Sequence, residues 1–231
     1  MRCSSLKRLQ EQNEERWQFQ ALAVMDGMVR APKSPREVIL LLHGLNERGR
    51  RIYRKLLPYL PHDALIIAPN APFPLPRQKE NRMVLGYTWY FYDKFERNYY
   101  LNQDMARSWL RELLKLKNPD KLPLTVIGFS QGGYLAPLLG SDIPETKLVI
   151  GLGCEFRSQL ITHNLHFPLI GLHGKLDTII THESSLREAE VLRSKGIQCH
   201  WQLIEDAAHE ITPSMGKKVK EILEAYGNRS L

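Results

Sequence analysis

The sequence predicts an α/β fold, a mostly parallel central sheet with helices on both faces. Three observations predict it. Short, uniformly apolar runs recur along the chain, without the alternation of a half-solvated strand, as befits parallel strands covered on both sides. Segments of helical periodicity lie between them, which implies right-handed crossovers. One run ends in Gly128-Phe129-Ser130-Gln131-Gly132-Gly133, a turn of small residues leading from strand to helix.

The elements follow in order. Residues 1–15 read as a polar arm, helical or frayed. Residues 16–231 read as one domain, because no repeat, low-complexity tract or linker divides them. Trp17–Val24 partly alternates and predicts a half-exposed antiparallel strand. The apolar runs Val38–Leu42, Ala64–Ala68, Leu124–Ile127, Leu148–Leu152 and Pro168–Leu172 predict buried strands, with Cys199–Ile204 as a more polar sixth. Over residues 98–116, Met105, Trp109 and Leu113 recur at every fourth position beside Ala106, Leu110 and Leu114, giving one broad apolar face. Residues 182–195 carry Leu186, Ala189 and Leu192, and Gly196 is a stop signal. Residues 213–226 begin at Thr212-Pro213, carry Val219, Ile222, Leu223 and Tyr226, and end at Gly227. Residues 69–97 resist this scheme. They hold four prolines and then Trp89-Tyr90-Phe91-Tyr92-Asp93, and read as a long irregular connection whose rings wall a ligand pocket or fill space under the loop.

Composition narrows the function classes. A chain of 231 residues suffices for a full α/β core. No apolar stretch approaches the roughly 20 residues that a membrane span needs. The basic start of the chain has no apolar region behind it, which argues against a secretory signal. Cys3, Cys154 and Cys199 are odd in number and widely spaced, so they suggest a reducing cytoplasm rather than a disulfide framework or a metal site. The net charge of +7 is concentrated in Arg48, Arg50, Arg51, Arg54 and Lys55, and in Lys217, Lys218 and Lys220. No nucleic-acid module is present. The first cluster follows a strand-end loop and suggests acidic or phosphate-bearing substrates.

Open parallel sheets hold their ligands beyond the carboxyl ends of the strands. The residues that follow the apolar runs are therefore the informative ones. They are His43-Gly44-Leu45, Ser130, His173-Gly174-Lys175-Leu176-Asp177 and Asp206-Ala207-Ala208-His209. A serine hydroxyl needs an adjacent base, and the base needs a carboxylate to hold its tautomer. Ser130, Asp177 and His209 stand in the chain order that a strand-to-helix G-x-S-x-G nucleophile uses. His43 supports its own turn, His173 braces Asp177, and Asp206 is the weaker choice of acid because it shares a loop with His209. Two backbone donors must meet the oxyanion: the N–H groups of Gln131 and Leu45.

These pieces resemble the phospholipase/carboxylesterase family of α/β-hydrolases, which includes bacterial carboxylesterases and acyl-protein thioesterases. The matching residues are Leu42-His43-Gly44-Leu45, Gly128–Gly133, His173–Asp177 and His209-Glu210, and the Trp89–Asp93 stretch resembles the family's Trp-Phe-Asp element. The resemblance implies an α/β-hydrolase without a large cap domain. It also implies a serine hydrolase of esters, thioesters or lysophospholipids, with no metal or organic cofactor and with Trp89 at the substrate site. Ala208 before the histidine and the basic loop after Leu45 depart from the family pattern. The competing reading is a non-catalytic binding protein on the same fold. Retention of all three triad candidates in order weighs against it.

Overall fold

A computed structural model describes residues 7–11, 14–18, 26–93, 95–96, 98–161 and 164–227. Strands β1 (Lys7–Glu11) and β2 (Glu14–Gln18) pair antiparallel. The residues expected to be a helical or frayed arm thus contribute a ribbon. The strand expected at 17–24 covers only its first two positions within β2, and 19–25 lie outside the described residues.

The main sheet uses β3 (Gly27–Arg30), β4 (Glu37–Leu42), β5 (Ala64–Pro69), β10 (Leu124–Phe129), β11 (Thr146–Leu152), β12 (Leu169–Gly174) and β13 (Cys199–Ile204). Its order is β13-β12-β11-β10-β4-β5-β3, parallel except for the edge strand β3. The five apolar runs and the sixth, more polar one all become strands. In β4, Val38 to Leu42 are all buried. Val38, Leu40 and Leu42 face one core, and Ile39 and Leu41 face the other, because successive strand side chains alternate between faces. Burying each such side chain contributes roughly 1.5–3 kcal/mol.

Among the described residues, five α-helices cover the two faces. Three lie against the first core: α2 (Asp104–Lys117) through Ala106, Leu110 and Leu114, α3 (Gln131–Ser141) through Leu135 and Leu139, and α4 (His182–Ser194) through Ala189 and Leu192. The other core takes α1 (Gly49–Leu56) through Ile52 and Leu56, and α5 (Pro213–Gly227) through Met215, Val219 and Ile222. Arg107 of α2 grips Asp142 at the end of α3 with two bonds of 2.8 and 2.6 Å, the fork geometry suited to a carboxylate. Among the described residues, no helix is long and apolar enough to cross a membrane.

Residues 69–97 are not irregular. They contain the hairpin of β6 (Phe73–Lys79) and β7 (Arg82–Thr88), followed by β8 (Phe91–Asp93), which pairs with β9 (Asn98–Leu101). The prolines concealed β6. Pro74 and Pro76 sit two apart, so both take the same phase of a two-stranded ribbon, the phase whose missing N–H points away from the partner. Helix α1 was also hidden, because half of its residues are cationic and only Ile52, Leu56 and Gly49 are buried.

Asn70 joins three elements at the carboxyl end of β5. Its Oδ1 accepts the Gly49 N–H at the start of α1 (2.8 Å), and its Nδ2 donates to Asp26 Oδ1 (2.6 Å). Replacing it by alanine orphans a buried N–H and a carboxylate. Asn70→Ala is expected to cost ~2 kcal/mol, read as a lower midpoint in urea unfolding with an unchanged slope.

Candidate active site

The carboxyl edge of the sheet is built around Ser130. The serine joins β10 to α3 with φ 49° and ψ −118°, a left-handed conformation that costs a non-glycine residue of order 1–3 kcal/mol. Close approach on both sides holds it there. A β-carbon on Gly128 would lie 2.3 Å from Gly132 O, and one on Gly132 would lie 2.3 Å from Leu42 O. Neither contact is possible for a larger residue. The Ser130 N–H is tied to Leu152 O of β11 (2.9 Å), and Ser130 O accepts from Gly133 N and Tyr134 N.

His209, in the loop after β13, places Nε2 3.0 Å from Ser130 Oγ and Nδ1 2.7 Å from Asp177 Oδ2. The carboxylate fixes the tautomer. Nδ1 donates to Asp177, leaving Nε2 to accept the serine hydroxyl. The Phe129 ring lies 5.1 Å from the imidazole, centroid to centroid. Asp177, in the loop after β12, is itself held. Its Oδ1 accepts the N–H groups of Ile179 and Ile180, each at 2.9 Å. His173 Nε2 donates to Ile180 O and lies 3.4 Å from Asp177 Oδ2, the bracing position expected from its sequence. Its Nδ1 is buried with no partner among the described residues. The rival acid, Asp206, is engaged elsewhere, by Ser214 Oγ.

Leu45 lies in the loop after β4, and Gln131 directly follows Ser130 after β10. Among the described residues neither N–H is engaged by an acceptor, and Gln131 occupies the first turn of α3, where N–H groups lack helical partners. The Gln131 side chain is fully used. Its Oε1 accepts Trp89 N–H (3.0 Å), and its Nε2 donates to Tyr90 O (2.9 Å) and Thr88 Oγ1 (2.8 Å). The start of α3 is thereby fastened to the end of β7.

The loop carrying Leu45 is braced as firmly. His43 is buried. Its Nε2 accepts Ala71 N–H (2.9 Å), so the proton sits on Nδ1, which donates to Gly44 O (2.7 Å). Glu47 Oε2 accepts Gly44 N–H (3.1 Å) while its Oε1 pairs with Arg51 (2.9 Å). Asn46 and Glu47 exchange backbone bonds with Tyr87. Sequence reasoning passed over Glu47 because the loop reads as basic. The only signal was a carboxylate three residues after Gly44.

Trp89 corrects one expectation. It is fully buried, its Nε1 donates to His43 O (2.8 Å), and its ring lies 4.9 Å from that of His43. It supports the Leu45 loop from behind and presents no surface to a substrate. The basic cluster is largely committed too. Arg48 donates to Leu85 O, Arg51 pairs with Glu47, and Lys55 bonds Ile211 O and Glu210. Among the described residues, no group of His, Cys, Asp or Glu could hold a metal ion.

Burial lowers the His43 pKa to about 4, because a charged imidazole loses its hydration there. Between the ordinary value of 6.5 and about 4 the unfolded chain binds a proton here that the folded chain does not. Stability is therefore full above pH 6.5 and falls with acid through that window, by up to ~3 kcal/mol. In urea unfolding at pH 7 and pH 4.5, the difference between the two is expected to shrink in His43→Gln.

Comparisons with known proteins place the chain in a family. The sequence matches the phospholipase/carboxylesterase family profile over residues 26–226. Among solved structures, the esterase PE8 is 21% identical with a TM-score of 0.68, over 87% of this chain and 99% of that one. Acyl-protein thioesterase 2 of Zea mays is 20% identical with a TM-score of 0.65, over 89% of this chain and 99% of that one. A carboxylesterase from Mesorhizobium loti is 18% identical with a TM-score of 0.63, over 83% of this chain and 90% of that one. At such identities the likeness speaks for the fold. No curated protein matches the sequence. The family match runs from the start of β3 almost to the end of α5, and the chain belongs to the phospholipase/carboxylesterase family as a carboxylic ester hydrolase.

Proposed function

We propose that the protein hydrolyses carboxylic esters, thioesters among them, through an acyl-enzyme on Ser130. The observation that carries this reading is the unbroken chain Asp177 Oδ2–His209 Nδ1 (2.7 Å) and His209 Nε2–Ser130 Oγ (3.0 Å) at a strained strand-to-helix turn. His209 Nε2 takes the hydroxyl proton as Oγ attacks the carbonyl carbon. The oxygen becomes an oxyanion and takes hydrogen bonds from Leu45 N and Gln131 N. The imidazolium, held by Asp177, returns the proton to the leaving alcohol or thiol as its bond to the carbonyl carbon breaks. Water then repeats the cycle on the acyl-serine, with His209 again as base, and releases the acid. The buried free thiols Cys154 and Cys199 support a reducing, cytoplasmic setting.

The test is hydrolysis of p-nitrophenyl esters from acetyl to palmitoyl, together with labelling by a fluorophosphonate probe. Wild type is expected to label and to turn over esters at a defined optimum chain length. Ser130→Ala is expected to lose both. Asp177→Asn is expected to lower kcat by about 10⁴ with little change in KM. A folded wild type that neither labels nor hydrolyses any ester would leave a ligand-binding protein instead.

A further inference from the structure

Among the described residues, one cation in the stretch that follows β11 has no carboxylate partner. Arg157 follows the end of β11, and Leu152, the last residue of that strand, accepts the Ser130 N–H. The stretch bearing Arg157 therefore leaves the sheet beside the nucleophile turn. Its guanidinium lies 4.7 Å from the Tyr92 ring centroid and 5.2 Å from that of Tyr134. Both rings belong to the site's surroundings. Tyr134 sits one turn after Ser130 and donates its N–H to Ser130 O (3.2 Å). Tyr92 packs on Tyr99 at 4.7 Å, and Tyr99 on Tyr90 at 5.8 Å, and Tyr90 O takes the Gln131 side chain.

The contrast with other arginines is informative. Arg107 and Arg51 each meet a carboxylate. Among the described residues no carboxylate lies within 4.0 Å of Arg157, and the nearby Glu155 accepts from Ser184 Oγ. Burial disfavours the charge of Arg157, but Tyr92 and the other surrounding tyrosines outweigh it, so its pKa is raised. A guanidinium has five donors along its edge, and here aromatic rings cover its face. A half-buried, pre-positioned guanidinium with no counter-ion among the described residues is half of an ion pair, and its natural complement is a carboxylate or phosphate.

We propose that Arg157 is a specificity residue that receives a second, anionic group on the substrate, so that the preferred esters carry a carboxylate or phosphate besides the scissile carbonyl. This rests on the ester-hydrolase reading above. The acyl half could bring the anion, as in a half-ester of a dicarboxylic acid, or the alcohol half could, as in a phosphate-bearing alcohol.

The experiment compares kcat/KM for matched pairs. Mono-p-nitrophenyl succinate, glutarate and adipate are set against neutral p-nitrophenyl esters of equal acyl length. Butyrylglycerol phosphate is set against butyrylglycerol. Wild type is expected to favour the anionic member of one set, and which set shows it identifies the half that carries the charge. Arg157→Gln is expected to lower that ratio roughly 10- to 100-fold, and Arg157→Lys to restore part of it. A ratio rather than a rate is read because a merely structural role would slow both members alike. Should Arg157→Gln fail to fold, wild type still decides. Preference for the anionic member of either set supports the assignment, and where the acyl set shows it glutarate is expected to inhibit p-nitrophenyl butyrate hydrolysis at about tenfold lower concentration than butyrate does. An unchanged ratio in Arg157→Gln, or no anionic preference of wild type in either set, in an enzyme that labels with fluorophosphonate would overturn the assignment of Arg157 alone. Absence of labelling and of all hydrolysis would remove the ester-hydrolase reading and this one with it.

Discussion

The turn at Ser130 is the constraint on which the rest of the edge depends. A residue with a side chain is held at positive φ, against its own preference, by backbone that passes too close for anything larger than glycine at 128 and 132. The stored strain is stable only because the surroundings over-determine it. Parallel pairing of β10 with both β4 and β11 clamps the strand before the turn, and Ser130 N–H to Leu152 O clamps the turn itself. Every other group of the site is then placed by where a neighbouring strand ends.

The second constraint is the fastening of the Leu45 loop to the start of α3. Leu45 and Gln131 follow different strands, β4 and β10. Residues 87–90 supply the tie. Tyr87 pairs with Asn46 and Glu47 on one side, while Thr88, Trp89 and Tyr90 hold the Gln131 side chain on the other. Trp89 Nε1 closes the frame on His43 O. The cost of burying so many polar groups is met by pairing nearly all of them.

Much of this was legible in the sequence, and for a physical reason. Strands buried on both faces must be apolar throughout, so Val38–Leu42 or Leu124–Ile127 announce themselves. Residues at strand ends inherit one edge of the sheet, so Ser130, Asp177 and His209 can be read in order before their distances are known. The illegible parts are those decided by contacts between distant segments. β6 carries breakers in a phase that only its partner makes harmless. Helix α1 buries only three residues beneath a cationic face. Glu47 joins the Gly44 N–H, Arg51 and Tyr87, contacts that only the folded loop brings together. Trp89 reads either as the wall of a pocket or as filling under a loop, and its burial against His43, a residue of another strand end, is seen only in the fold. Arg157 is one of many arginines until the tyrosines around it are seen.

The bridge between Glu47 and Tyr87 divides the β6–β7 hairpin into two regimes of tolerance. The turn at Glu80 and Asn81 has no duty toward the Leu45 loop, so lineages are free to lengthen, shorten or recharge it. Leu85 and Tyr87 are bound by register to that loop. A single-residue insertion between them and Thr88 would reverse which side chains face inward and uncouple the Leu45 loop from the start of α3. The hairpin is therefore a natural place for sequence drift at its tip and for strict conservation of spacing at its base, and a graft made at the tip would leave the frame of the site in place.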